Sequence, residues 1–530
     1  MKRKIKKTLA LAVVVSVLAG MCACTKKEEQ TASDVKQGEI PKTLSVFAPL
    51  GAYSIKNGAT NNNETLPFQL MEELTGCHVE WDHPAADAYT EKFNLMIASG
   101  KYPDVVIHSW LGIQGGAKTY ADDGVIIPLG NLIDDNMPYL SAFNKENPNV
   151  KKQYMDNEGE IYAIPFIRKD KELKIFAGPQ IREDWLKKLG LQVPQTPEAL
   201  YEVLKAFKTQ DPNGNGEADE IPMSGVGFDH QEHGIGNLLW GFGTHYDFYI
   251  KDNKVKYGIL EEEFEEGIAY ITKLYQEDLI DMDYLLNDRD KMDNKVLNNK
   301  VGFIYSLQPG KFYTSMKDSE RKMIGVPHVA VEEGINNVYN ASYIMDVKDT
   351  SAAITTTNPN PSGTLKWLDH FYGGEGLNYM NFGQEGLTYD WVDEYPKLSD
   401  YILNNPDGKT LQEMGGQCLG TYQSHFPAMQ DWRYYEQILT EWGKDSIKTW
   451  SDSANTEGIL PSLAFTSDET KKITQVMSQV ETYVSEAINQ IVLGRMKVEE
   501  LGTVRNKIKK MGIDDVLKIY NDAYQRYVAR

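Results

Sequence analysis

Cysteine is nearly missing from this chain: four residues in 530. Cys22 and Cys24 lie near the start, and only Cys77 and Cys418 follow. Two cysteines so widely spaced form no disulfide framework, and neither has a CxxC partner. Both are read as small buried apolar residues. Long apolar runs are missing too. Beyond the first two dozen residues, no stretch reaches the ~20 residues that a membrane-spanning helix needs. Basic excess is also absent: 55 Lys and Arg face 76 Asp and Glu, a net charge of −21. A phosphate-binding surface must be basic, so nucleic acid is excluded as a partner. The same sign disfavours lying flat on anionic lipid. Catalytic signatures are missing as well, with no GxSxG elbow and no HExxH helix. Glycoside hydrolysis needs two carboxylates flanking the bond, and 76 acidic residues offer pairs everywhere, which distinguishes none. The chain is therefore expected not to be an enzyme.

What is present begins with an export signal over 1–23. Lys2, Arg3, Lys4, Lys6 and Lys7 form a basic head, and an apolar run from Leu9 to about Met21 follows. That run matches a signal h-region and is too short to cross a bilayer. Ala23-Cys24 then reads as a lipoprotein cleavage site, with Cys24 as the lipidated residue. Met21 stands where leucine is usual. Residues 24–42 are polar without apolar periodicity and read as a tether. Its length after the cysteine spans roughly 20–25 Å on average. The expected location is the cell membrane, on its extracytoplasmic face and held by lipid. Loss of the basic head would take the net charge from −21 to −26.

About 490 residues remain, more than one hydrophobic core accommodates, so at least two domains are expected. Leu44–Phe47 reads as a strand, Leu66–Leu74 as a helix, Cys77–Trp81 as a strand, Tyr89–Ser99 as a helix and Val105–Ile107 as a strand. This βαβαβ order implies a parallel sheet covered by helices. Ligands bind such sheets beyond the carboxyl ends of the strands, where Tyr53 and Trp110 lie. A second segment starts near Phe176, with Ile181–Leu186 opening a helix that Gly190 closes. Thr196-Pro197 caps another helix, buried along Leu200, Val203, Leu204 and Phe207. Helices follow at Phe264–Gln276, Thr364–Tyr372, Ser467–Leu493 and Val516–Val528. The chain is α/β first and helix-rich last.

The sharpest motif is the segment from Asp211 to Pro222. Asp211, Asn213 and Asn215 occupy positions 1, 3 and 5 of an EF-hand-type loop, Gly216 the sharp turn at position 6, and Glu217 the backbone-carbonyl position 7. Position 12 is Pro222 rather than Glu, so Asp219 and Glu220 would complete the shell. Six oxygen donors, three of them carboxylates, fit Ca2+. A protein shell so complete leaves little room for substrate, which makes the ion structural. His230 and His233 lack HExxH spacing, lie among glycines and read as surface histidines.

Several segments then carry a family resemblance over nearly the whole chain. They are Tyr102–Val106, Asp122–Leu129, Tyr162–Pro165, Arg182–Leu186, the calcium loop, Asn381–Gly386, Phe465-Thr466 and Ala523–Tyr527. The sequence resembles family 1 extracellular solute-binding proteins of ABC importers, nearest the long calcium-bearing subgroup that includes alginate-oligosaccharide-binding proteins. The resemblance implies an α/β, two-lobed periplasmic-binding-protein-like fold with a hinge and the ligand in the cleft. The expected lobes are 43–175 plus about 335–390, and 176–334 plus about 391–530. The implied partners are an ABC permease and a small solute, expected to be an oligosaccharide; the protein itself is expected to be a monomer. Sensory presentation of a ligand, and binding of a peptide or other nutrient, stay open as alternatives; a secreted carbohydrate-active enzyme is the remotest.

Sugars are held by aromatic faces, with amide, carboxylate and Arg groups on their hydroxyls. Trp110, Trp240, Tyr305, Tyr389, Trp391 and Trp432 are cleft candidates because they follow strand ends or glycine turns, each weighed against ordinary packing. Arg182 would clamp a carboxylate or hydroxyl, or else form an ion pair within its lobe. One prediction follows from the N-terminus: Cys24→Ala should release the protein into the medium or leave it unprocessed. Mass spectrometry that finds an unmodified wild-type N-terminus beyond residue 24 would refute lipidation.

Overall fold

A computed structural model describes residues 37–113, 116–331, 346–422, 426–454 and 457–530. The export signal, Cys24, most of the tether and the expected lobe boundary near 335 lie outside the described residues. The strands run in chain order β1 (Thr43–Phe47), β2 (His78–Asp82), β3 (Val105–His108), β4 (Ile164–Arg168), β5 (Ala177–Arg182), β6 (Ile221–Met223), β7 (Phe248–Lys251), β8 (Lys254–Tyr257), β9 (Val301–Leu307), β10 (Met323–Gly325), β11 (Val347–Ile354), β12 (Tyr389–Val392), β13 (Tyr395–Leu398) and β14 (Met429–Gln430).

Two sheets anchor two lobes. The first has the order β14-β4-β11-β3-β1-β2 and the second β10-β5-β9-β6. β1 pairs in parallel with β2 and β3, as the βαβαβ pattern requires. The sheet is nevertheless mixed, because β11 returns antiparallel to both β3 and β4. In the second sheet β5 is antiparallel to β9 and β10, while β6 is parallel to β9. Apolar side chains explain the layering. Val46, Val105, Ile107, Ile164 and Phe166 pack with Leu365 and Phe371 in the first lobe. Ile181, Leu200, Phe207, Phe264 and Ile271 build the larger second core.

Local signals act where the sequence places them. Thr196 caps helix Pro197–Thr209 by accepting from Ala199 N–H, with Pro197 in the first turn. Thr466 and Glu469 form a capping box that starts helix Ser467–Val492. That helix packs on helix Glu262–Gln276, and Ile513–Ala529 packs in turn on it and on β8, so the helical tail completes the second lobe. Three local readings differ. Ile181 and Arg182 finish β5, and the helix begins only at Glu183. Tyr305 lies inside β9 rather than after it. Trp240 belongs to a 3-10 helix, Ile235–Phe242, that Gly243 ends in a left-handed conformation.

The chain stays with the first sheet well past 390, where the sequence places the crossing. β12 and β13 form a hairpin beside helices that pack on the first lobe, and β14 pairs in parallel with β4. The return to the second lobe comes at helix Glu441–Ser453, which lies on β10 and β5.

Two crossing segments run side by side, 169–176 after β4 and 431–440 after β14. They are tied by polar bonds: Asp431 pairs with Lys169 at 3.1 Å and Arg433 at 2.7 Å. Trp432 N–H donates to Asp170 Oδ2 at 2.8 Å. Asp431 also caps helix Trp432–Ile438. Burial would raise its carboxyl, but Arg433 and Lys169 outweigh that and hold it below the usual aspartate range. A depressed carboxyl stabilises the fold above its unfolded pKa and loses that contribution as pH falls through its folded value. Asp431→Asn should therefore cost about 1.5–3 kcal/mol near pH 7. Melting curves should show the gap between wild type and variant closing below about pH 4; a gap that persists at low pH would refute this account.

Candidate functional site

Where the two lobes face each other lies a cleft of ≈ 390 Å³. Its walls come from the carboxyl ends of strands, as expected for sheets of this kind. Tyr53 stands on helix Ala52–Lys56 after β1, Arg168 ends β4, Gln430 ends β14, and Gln308 follows β9 from the second lobe. Tyr434 and Tyr435 enter from helix Trp432–Ile438. The crossing segments form its floor, so Arg168 and Gln430 each stand one residue ahead of the Lys169–Asp431 pair.

The cleft holds unsatisfied polar atoms. Arg168 is 8% exposed, and its Nη1 has no hydrogen-bond partner. Among the described residues no carboxylate pairs with it; its guanidinium lies 5.6 Å from the Phe166 ring centre. Burial disfavours its charge. Gln430 Nε2 donates to the Tyr434 hydroxyl at 2.8 Å, while its Oε1 has no partner. A buried unmatched donor and acceptor in one cleft cost stability unless a ligand satisfies them. With the tyrosines, they form a site for a polyhydroxylated molecule having apolar faces.

The sequence-derived candidates distribute unevenly. Trp110 is fully buried: its indole N–H donates to the Val106 carbonyl, and its ring packs edge-on against Phe93 and Tyr120. Trp240 is buried and stacked on His245. Tyr305 is buried against Phe303. Tyr389 packs on Phe382, with Trp391, 41% exposed, at its edge on the β12–β13 hairpin. Arg182 is 1% exposed, bonded to Asp184 at 2.8 and 2.6 Å and lying over Trp185, so it serves its own lobe. None of these six lines the cleft. Trp432 alone adjoins it, half-buried with its ring centre 5.9 Å from that of Tyr435. Tyr53 was legible as a residue just past a strand end. Arg168 carries the same signal, a charge closing the apolar strand Ile164–Ile167, yet goes unread. Gln430 has no sequence signal, because β14 is two residues long.

The loop after helix Pro197–Thr209 adopts the turn its motif demands. Asp211 Oδ1 accepts from Gly214 and Asn215 N–H, and Oδ2 from Gly216 N–H. Asn213 and Asn215 oxygens accept from the N–H two residues on. Their amides donate to Asp219 Oδ1 at 2.9 and 3.0 Å. Position 12 is Pro222 because the loop has already entered β6. Glu220 is 9% exposed, and its Oε1 has no partner. Burial and the charges of Asp211 and Asp219 push its carboxyl up. A buried carboxylate with one unmatched oxygen, among other oxygen donors, fits a hard cation.

His230 is exposed, but His233 is buried, contrary to the surface reading for both. Its Nδ1 lies 3.3 Å from the Tyr305 carbonyl. Burial pushes its imidazole down to about 4.

Comparison with known proteins gives one family. The model of the bacterial extracellular solute-binding proteins matches residues 59–377. The fructooligosaccharide ABC transporter substrate-binding protein FusA of Streptococcus pneumoniae is 28% identical across 98% of this chain and 97% of its own. Its structure in complex with kestose superposes with a TM-score of 0.70 at 27% identity, over 92% of this chain and 99% of that one. A structure of its EF-hand mutant in complex with fructo-nystose is similar too, with a TM-score of 0.69 at 26% identity, over 92% of this chain and 99% of that one. Lipoprotein LipO of Bacillus subtilis is 23% identical over 98% of both chains. The alginate-binding protein AlgQ2 without calcium ion aligns with a TM-score of 0.66 at 26% identity, over 93% of this chain and 99% of that one.

Proposed function

Because the chain belongs to the bacterial extracellular solute-binding protein family, we propose that it captures an oligosaccharide between its lobes and delivers it to an ABC importer. The carrying observation is the interlobe cleft, where Arg168 Nη1 and Gln430 Oε1 stand buried and unmatched among Tyr53, Tyr434 and Tyr435. Sugar hydroxyls both donate and accept, so one ligand satisfies both atoms, while its C–H faces stack on the rings. This reading asks for no reaction chemistry. The acidic surface disfavours a strongly anionic ligand, and one buried guanidinium suits an uncharged or weakly acidic sugar. The kestose complex of the pneumococcal relative supports that class. Lipidation at Cys24 would hold the protein at the extracytoplasmic face of the cell membrane, and the similarity to a named lipoprotein supports an anchor.

Calorimetry against fructo-oligosaccharides, galacturonan fragments, N-glycans and peptides should show binding to a glycan and none to peptides. Tight peptide binding with silence across all glycans would overturn the substrate class. Tyr53→Ala or Tyr435→Ala should weaken the sugar by about 1–3 kcal/mol, roughly tenfold to a hundredfold. Arg168→Met should weaken it comparably without lowering the melting temperature of the empty protein, since a buried cation lacking a carboxylate costs stability.

We further propose that Asp211, Asn213, Asn215, Asp219 and Glu220 side chains, with the Glu217 carbonyl, hold a structural calcium ion. The ion would neutralise the unmatched Glu220 carboxylate and lock the loop between helix Pro197–Thr209 and β6. EDTA should lower the melting temperature, because the ion binds only the folded state. Asp211→Ala should lower it similarly and abolish the EDTA effect. A melting curve indifferent to EDTA, with no metal found by elemental analysis, would exclude the site.

A further inference from the structure

The loop after β6 is held in one shape by its own backbone. Val226 N–H donates to the His233 carbonyl at 2.9 Å, Gly236 N–H to Phe228 at 2.9 Å and Gly234 N–H to His230 at 2.7 Å. Gly234 is required there, since a Cβ would stand 2.4 Å from the Phe228 carbonyl oxygen. On this frame the ligand atoms of His230, Glu232 and His233 all lie within 4.8 Å of one another. His233 Nε2 is 3.9 Å from Glu232 Oε2, and the two imidazole centres are 4.9 Å apart.

The His233 tautomer follows from its partner. A carbonyl only accepts, so the bond to Tyr305 places the hydrogen on Nδ1 and leaves the Nε2 lone pair facing Glu232. A backbone carbonyl behind an imidazole is the arrangement that fixes metal-bound histidines. We propose that His230, Glu232 and His233 bind a divalent transition-metal ion of the zinc class, at a site separate from the calcium loop.

The donor set chooses the metal. Two imidazoles and one carboxylate favour zinc and its neighbours over calcium or magnesium, which take oxygen. Zinc bonds of about 2.0–2.1 Å place tetrahedral ligands about 3.4 Å apart. Closing to that spacing needs shifts of about 1 Å, which the exposed His230 ring and half-buried Glu232 supply. Glu232 N–H donates to His230 Nδ1 over a long 3.3 Å, so this ring turns readily. Arg289 is the cation whose charge reaches His233, and Asp293 pairs with it at 3.7 Å. Three protein ligands leave the fourth position to water or solute. The trio stands at the carboxyl end of β6, beside the strand that runs on to Gln308 of the cleft.

The test uses protein without a polyhistidine tag, in saturating calcium, with zinc chloride as the probe. Gel filtration followed by elemental analysis should find one retained zinc per chain. Cobalt in its place should give the visible absorption of a tetrahedral nitrogen–oxygen site. Competition with a chromophoric chelator should show His230→Ala and Glu232→Gln each weakening zinc by tenfold or more. His233 is buried and its removal endangers folding, whereas His230 is exposed, so the His230 variant decides. No retained zinc, or equal retention by wild type and His230→Ala, would overturn the site.

Discussion

The cleft depends on how two crossing segments are pinned to each other. Asp431 is nearly inaccessible to solvent, and it meets Lys169 and Arg433 at once. Asp170 answers from the other segment by accepting from Trp432 N–H. Each carboxylate therefore reaches across to the opposite crossing, Asp170 to a backbone N–H and Asp431 to the Lys169 ammonium. The consequence reaches the ligand side directly, because Arg168 and Gln430 immediately precede these pairs. The β14–β4 pairing sets Gln430 beside Arg168 in register, but β14 contributes only two residues to the sheet. The clamp therefore reinforces a short strand pairing immediately beside the cleft.

This placement sets stability against binding. A buried guanidinium without a carboxylate, and an amide oxygen without a donor, are each unfavourable in the empty protein. Two large cores offset that cost, one behind each sheet. The same pattern recurs at Glu220, whose unmatched carboxylate sits among oxygen donors that suit a cation. Paired charges, by contrast, fix the crossing segments, where Asp431 meets Lys169 and Arg433. Arg182 is buried too, but Asp184 takes two of its N–H groups and holds it within its own lobe.

Periodic and local signals were legible in the sequence. Helix Tyr89–Ser99, the Thr196 cap and the turn at Asp211 lie where apolar spacing and side-chain chemistry place them. The site was less legible, for a physical reason. An aromatic residue after a strand end is as often bent back onto the core as turned into the cleft, and burial of its large apolar area favours the core. Trp110 shows this, since its indole folds back to bond Val106 in its own strand. Arg168 needed only the carboxyl-end rule, applied to a charge closing an apolar strand. Gln430 needed the tertiary pairing of β14 with β4, which no window of sequence contains. The late crossing to the second lobe was hidden likewise, because the pairing of β14 with β4 that keeps the chain on the first sheet joins segments far apart in sequence.

One further contact bears on how the lobes move. The C-terminal Arg530 donates to the Met155 carbonyl and to Asn157, both in the first lobe. One turn earlier, Arg526 pairs with Glu469 of the long second-lobe helix. The tail therefore straps the lobes at a distance from the crossings. Bonds of this kind contribute about 0.5–1.5 kcal/mol each when partly exposed. That is within the range a bound solute supplies through a few hydrogen bonds and one stacked ring. A strap of that strength would yield or re-form with ligand, while the buried clamp at Asp431 would stay fixed as the pivot. Hinge motion about such a pivot would move the second-lobe wall, which carries Gln308, against a first-lobe wall that carries Arg168 and Gln430, and would bring an acceptor to Arg168 Nη1 and a donor to Gln430 Oε1 without disturbing either core.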